Sequence, residues 1–315
     1  MDRRQFLRTS AVASAAAITG FDRLPPIIAA PAKPGVVEVQ NAAWRDANFR
    51  PVEAEVDRMA NEAVRLLTGQ PTARQAWQSL FKPSDRVGLK LNIIGRDYNK
   101  GDMPIVGALT RALTDAGLDP ANVYVLDAMP EYEVNRWTDF APATDESYDV
   151  GDGQRTALTR FLAEMDGIIN CPVMKDHDRC GITGALKNVS HSTTIVTRRP
   201  YTMHANCVTP YIAVINTYPE IRQKVRLHLM NGLLALYEGG PSPSPHLFER
   251  AALLAAFDPV AMDAIQLDIT EKVRAEKGLP SYWDTPRRPY FLEESAQAGI
   301  GVADLQQIDH SVATL

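Results

Sequence analysis

The chain has 315 residues, is 45% hydrophobic and 23% charged, and carries a formal net charge of -5. These are ordinary globular values with enough apolar material for one large core. An acidic balance excludes the basic footprint of a nucleic-acid binder, and three cysteines with no C-x-x-C pair speak against a ferredoxin-type iron–sulfur cluster.

The first residues read M-D-R-R-Q-F-L-R, followed by an alanine-rich run to Ile18 and by Ala30-Pro31-Ala32. A basic end, a weakly apolar middle and a small-x-small site are the parts of an export signal. Arg3-Arg4 before Phe6-Leu7 is similar to the twin-arginine type. Residues 1–32 are therefore expected to be a leader read by the twin-arginine translocase, and 33–315 a single domain, periplasmic or otherwise exported. The leader holds four arginines against two aspartates, a net +2, so its removal leaves -7. No later stretch is long and apolar enough to span a bilayer, so no stable membrane span is expected.

In chain order, V-V-E-V-Q within Lys33–Gln40 predicts a short strand. Val52, Val56, Met59, Val64 and Leu67 form a helical stripe stopped by Gly69, and Thr72–Phe81 reads as a second short helix. Arg86–Asn92 alternates Val87, Leu89 and Leu91 against Gly88, Lys90 and Asn92 and predicts a strand. Ile93–Asp102 reads as a loop, Pro104–Gly117 as a helix and Val123–Leu126 as the next strand, ending at Asp127, which together make a right-handed βαβ unit. Ala128–Asp152 shows little periodicity and reads as an excursion, Thr156–Met165 as a helix, and Ile168–Asn170 as a strand. Thr193–Thr197 is β-rich, and Asn206–Tyr218 is helical in pattern despite Pro210. Val225–Met230 reads as a strand, and Ala251–Phe257 as an apolar run ending at Asp258. Pro259 opens a helix to about Val273, Pro289–Ala298 makes a last one, and Gly301–Leu315 reads as a tail. The predicted class is α/β, with a mainly parallel sheet flanked by helices.

The chemistry concentrates in I-I-N-C-P-V-M-K-D-H-D-R-C-G-I-T-G-A-L-K-N-V-S, Ile168 to Ser190, read as a loop leading into a helix that carries Lys187 and Asn188. In open α/β sheets ligands sit beyond the carboxyl ends of the strands, where Lys90, Asn92, Asp127, Asn170 and Asp258 fall. Lys90, Lys175 and Lys187 suit a small anion, since each ammonium is a point charge with three donors. Asn92, Asn170 and Asn188 would orient it, and Thr183-Gly184 would turn the backbone N–H groups of a helix start toward it. His177 is the natural proton donor or acceptor, because it titrates near neutrality, with Lys175 beside it as a candidate catalytic residue.

Two alternatives stay open. Asp258 and Asp263, with Glu238, could hold a divalent metal bridging to the anion, although Asp258-Pro259 also reads as a plain helix cap. Cys171, His177, Cys180 and Cys207 could instead form a Cys₃His set. Whether the site turns over a substrate or only binds it is not written in these residues, and no G-x-S-x-G elbow or Gly-rich phosphate loop occurs.

The chain resembles the family of domain of unknown function 362. The resemblance is carried by V-G-L-K-L-N (Val87 to Asn92), V-Y-V-L-D, I-I-N-C-P-V-M-K-D-H (Ile168 to His177), I-T-G-A-L-K-N (Ile182 to Asn188), E-G-G-P (Glu238 to Pro241), D-P-V-A-M-D (Asp258 to Asp263) and A-G-I-G (Ala298 to Gly301). These stand in the family's order over about residues 87–301. The ferredoxin-like module fused to some members has no counterpart in these cysteines. Asn231-Gly232 stands where Asp-Gly is more typical of the family. The resemblance implies a fold and a site, with no reaction attached.

Overall fold

The computed structural model describes residues 33–94, 102–126, 134–146, 148–151, 154–196 and 211–315. Strand β1 (Gly35–Gln40) is followed by helices α1 (Glu53–Thr68) and α2 (Ala73–Leu80). Gly69 closes α1 in the left-handed conformation, at φ 66°, which glycine adopts without a Cβ penalty. The Thr72 hydroxyl accepts from Gln75 N to open α2. Next come β2 (Val87–Lys90), α3 (Asp102–Ala116), β3 (Val123–Leu126), β4 (Arg136–Trp137), β5 (Tyr148–Gly151), β6 (Gln154–Leu158) and α4 (Arg160–Glu164). The central stretch is β7 (Gly167–Asn170), β8 (Val173–His177), β9 (Gly181–Thr183), α5 (Ala185–Thr193) and β10 (Thr194–Val196). The chain then runs α6 (Tyr211–Asn216), α7 (Pro219–Lys224), β11 (Val225–Leu236), β12 (Leu247–Phe248), β13 (Ala252–Ala256), α8 (Pro259–Glu276), α9 (Tyr290–Gln297) and β14 (Asp309–Thr314).

The main sheet has the order β14-β1-β13-β11-β7-β2-β3-β4. β11, β7, β2, β3 and β4 pair in parallel, and β1 is parallel to β14. β13 is antiparallel to both β1 and β11, so on this path it alone runs against the rest. Off the path, β8 pairs with β11 in parallel and with β9 in a hairpin. β10, β6 and β5 make a separate small antiparallel sheet. The result is a mixed α/β domain whose central sheet is mostly parallel and flanked by helices.

Two apolar layers cover the two faces. Val87, Leu89, Val125, Ile169, Leu227 and Leu229 pack with α1, α2 and α3 on one side. Leu126, Ile168, Met230 and Leu254 pack with α5, α6, α8 and α9 on the other. The period-2 alternation of each strand makes this division. Each of these leucines and isoleucines contributes roughly 1.5–3 kcal/mol when fully buried. Gly88 leaves room for Phe161 and Met165, because a Cβ at that position would collide with both.

Several segments differ from the sequence reading. The stretch after Asn170, read as a loop, is the β8–β9 hairpin, with Lys175, Asp176 and His177 buried inside a strand. Ala128–Asp152 supplies β4 and β5, and Thr156–Leu158 belongs to β6, so the predicted helix there is only Arg160–Glu164. The closing tail is a parallel edge strand on β1. Its side chains are mostly exposed, so they show no alternation for a core face to impose. Residues 1–32, Asp127 and Cys207 lie outside the described residues.

Candidate functional site

One row across the sheet fixes the site. Lys90 is in register with Asn170 on β7, and Asn170 with His228 on β11. Residues in one row of a parallel sheet project to the same face, here the face covered by α5 and α8. All three are buried. Lys90 and Asn170 end their strands, so the row lies at the carboxyl edge where open α/β sheets take ligands.

Helix α5 closes over that row with Asn188. Its Nδ2 donates to Asn170 Oδ1 at 2.7 Å and to Lys90 O at 3.3 Å, while its Oδ1 accepts from Lys90 Nζ at 3.2 Å. Lys90 Nζ also donates to Leu91 O at 2.5 Å. Asn170 Nδ2 donates to Ala185 O at 3.0 Å and faces His228 Nδ1 at 2.9 Å. Carbonyl oxygens only accept, so the contacts to Ala185 O and Lys90 O fix the direction of both amides. His228 must then present a lone pair at Nδ1. Burial pushes its imidazole down to about 3, which keeps it neutral.

Lys175 enters from β8. Its Nζ donates to Asn92 Oδ1 at 2.8 Å and to Ile94 O at 2.5 Å. Thr183 stands opposite it across the hairpin. Lys187 comes from α5, next to Asn188, and is 4% exposed. The three lysines are close enough to act on one another. Burial, and then the charge of Lys90, lower Lys175 to about 7, against the attraction of Asp102. Burial, followed by Lys175 and Lys90, lowers Lys187 to about 7, against the attraction of Asp178. His177 shares the face of Lys175 two residues on. Its Nδ1 lies 3.2 Å from Arg179 N and 3.1 Å from Asp178 Oδ1. The neutral ring can accept from the former, and the imidazolium can donate to the latter. The Asp178 side chain is 60% exposed and brings this cluster to the surface.

The structure brings Lys90, Asn92, Asn170, Lys175, Thr183, Lys187 and Asn188 near one another, with buried His177 beside exposed Asp178. The sequence reading does not single out Asp102, and His228, read there as structural, is a buried hydrogen-bond partner of Asn170. Asp102 opens α3 two residues before Pro104, a helix-start signal that extends the predicted helix backward. His228 alternates with Leu227 and Leu229, so its face was legible, but its neighbour Asn170 was not.

The carboxylates do other work. Asp263 accepts from Ala185 N at 2.5 Å and Leu186 N at 3.1 Å, so the N-terminus of α5 is filled by the protein's own carboxylate. This corrects the expectation that Thr183-Gly184 aims free backbone N–H groups at a ligand. Gly184 is required because any Cβ would strike the Asp263 carboxylate. Asp258 caps α8 through Val260 N and Ala261 N and also accepts from Val302 N. Glu238 pairs with Arg274 and Arg287, as Asp176 does with Arg287. Among the described residues no three His, Cys, Asp or Glu side chains gather as a metal set. Cys171 is free and buried, and burial raises its thiol well above the usual range. Cys180 is disulfide-bonded, so it has no thiolate to offer the Cys₃His set.

These features define an α/β domain with a buried lysine–asparagine cluster at the carboxyl edge of its parallel strands. Residues 121–268 match the family described as domain of unknown function, DUF362. The matched span runs from β3's approach into α8 and includes Asn170, Lys175, Lys187, Asn188, His228 and Asp263, while Lys90, Asn92 and Asp102 precede it. No curated protein matches the chain.

Proposed function

We propose that the domain is an exported member of this family that binds a small anionic molecule between Lys90, Lys175 and Lys187. The observation that supports this reading is the nearness of three buried lysines from β2, β8 and α5, with Lys90 bound to Asn188 and Lys175 to Asn92. Burying an ammonium is costly unless charge or hydrogen bonds compensate it, and an anion entering beside Asp178 would restore the charged form of Lys175 and Lys187. His177, facing Asp178, is the group that would pass a proton if the bound molecule reacts. Native mass spectrometry of protein purified from its own host tests the reading. A retained anion that disappears in Lys175→Met supports it, and the same retained anion in both proteins ends it.

A binding module without turnover uses the same lysines. Unchanged ligand after prolonged incubation with wild-type protein would favour that second reading. Export is supported by the twin-arginine pattern before Phe6, and the disulfide at Cys180 accords with an oxidising compartment. Among the described residues no helix is long and apolar enough to cross a membrane. Cell fractionation tests export: replacing Arg3-Arg4 by Lys-Lys should leave the protein in the cytoplasm, and unchanged export would remove this part of the proposal.

A further inference from the structure

Helix α8 turns a polar stripe toward the interior. Asp263, Gln266, Thr270 and Arg274 follow one another by three, four and four residues, which places them on one helix face. Each is 1% exposed or less. A core-facing stripe is ordinarily apolar, and apolar residues of similar volume often hold a fold at least as well as buried polar ones. Three of these side chains end on the segments that carry the site. Asp263 accepts from Ala185 N and Leu186 N, at the start of the helix that bears Lys187 and Asn188. Gln266 Nε2 donates to Thr183 O at 3.0 Å and to Lys175 O at 3.3 Å, and so bridges β9 and β8. Arg274 pairs with Glu238 and donates to Tyr237 O. Glu238 shares Arg287 with Asp176, which stands between Lys175 and His177.

The sheet supplies an independent observation. Val173 of β8 pairs with Asn231 of β11, and Lys175 with Leu236, so two positions of one strand span five of the other. The ladder is irregular where Lys175 sits, and an irregular ladder re-aims the side chains beside it. The Gln266 amide acts at that point. It grips the carbonyls of Lys175 and of Thr183, the cross-strand partner of Lys175, together. Carbonyls only accept, so the amide nitrogen must face them. The helix start held by Asp263 begins two residues before Lys187. One helix therefore reaches both amine-bearing segments, from side chains three residues apart on its own surface.

We infer that α8 sets the spacing of the amines in the anion site: Gln266 positions Lys175, and Asp263 positions Lys187. The inference rests on the anion-site reading above and adds the residues that fix its geometry. Two measurements on the full chain test it. One is sulfate titration calorimetry. The other is NMR titration of isotope-labelled lysine side chains, with Lys175→Met and Lys187→Met assigning one signal each. Gln266→Met and Gln266→Leu remove the donor and keep an apolar chain of similar volume, so the folds should persist. Each should weaken sulfate binding about fivefold, on the scale of one lost hydrogen bond. Each should also raise the Lys175 midpoint by about one pH unit as its burial slackens, with a smaller shift at Lys187. Asp263→Ala should show the reverse, with the larger shift at Lys187. A general loosening of the fold would instead move both midpoints alike in every variant. That result, or wild-type sulfate affinity in folded Gln266→Met and Gln266→Leu, overturns the inference and leaves the anion site standing. No sulfate binding by wild type overturns the underlying reading, and the lysine midpoints then still decide the positioning.

Discussion

His228 Nδ1 and Asn170 Nδ2 lie 2.9 Å apart on adjacent parallel strands, and this contact closes the far end of the amide relay that ends at Lys90. The imidazole must accept, so it must stay neutral. Its value, pushed down to about 3 by burial, lies below the ordinary 6.5 of an unfolded histidine. The unfolded chain therefore binds the extra proton first as pH falls. His228 contributes stability that is fully present above about pH 6.5 and is lost as pH drops toward 3. His228→Leu removes a buried acceptor and should cost about 1–3 kcal/mol. His228→Asn, which places an oxygen near the Nδ1 position, should cost less and should flatten the slope of stability between pH 6.5 and 4. Urea unfolding at several pH values checks this, and equal slopes in wild type and His228→Asn would contradict it.

Lys175 and Lys187 both sit near 7, far below the ordinary 10.5, with burial as the first cause. In the free protein above pH 7 they are largely neutral. A bound anion raises them, so binding takes up protons. Affinity for sulfate, which does not titrate in this range, should be greatest below about pH 7 and should fall as pH rises to 9. Calorimetry at pH 8 in two buffers of different ionisation enthalpy should show net proton uptake. Zero uptake would mean that the lysines are charged before the ligand arrives.

Asp263 joins α8 to the first turn of α5, and α5 carries Lys187 and Asn188. Asp263→Ala should destabilise the fold by about 1–2 kcal/mol, the usual cost of a lost helix cap. Burial raises this carboxyl to about 7, above the unfolded 3.8. Its contribution is therefore full below about pH 4 and fades as pH rises through 7. The difference between wild type and Asp263→Ala should be larger at pH 5 than at pH 8, as denaturant melts at the two pH values would show. A larger difference at pH 8 would reverse the argument.

The legible parts of the fold were those whose environment is written locally. Val87, Leu89 and Leu91 alternate because β2 is interior, and the polar Lys90 at its end stood out against them. The β8–β9 hairpin was not legible because V-M-K-D-H is polar where a buried strand should be apolar. Its partners are remote. Asp176 is balanced by Arg287, 111 residues on, and Lys175 by Asn92, 83 residues before. Asp258 and Asp263 carried the same residue types as a metal site, and only tertiary contacts show that backbone N–H groups occupy them. Strand ends pointed to Lys90 and Asn170, and Lys187 was read on the helix that follows, whereas His228 required the order in which β7 and β11 pair.

The central claim is that Lys90, Lys175 and Lys187 make one anion site although 97 positions separate the first from the last in the sequence. Sulfate titration calorimetry at pH 6.5 on wild type and on Lys90→Met, Lys175→Met and Lys187→Met tests it most directly. Each substitution exchanges a buried amine for an apolar chain of similar length, so the folds should persist. The account predicts a single binding site in wild type and at least a tenfold loss of affinity in every variant. Wild-type affinity in any one of the three folded variants would contradict it.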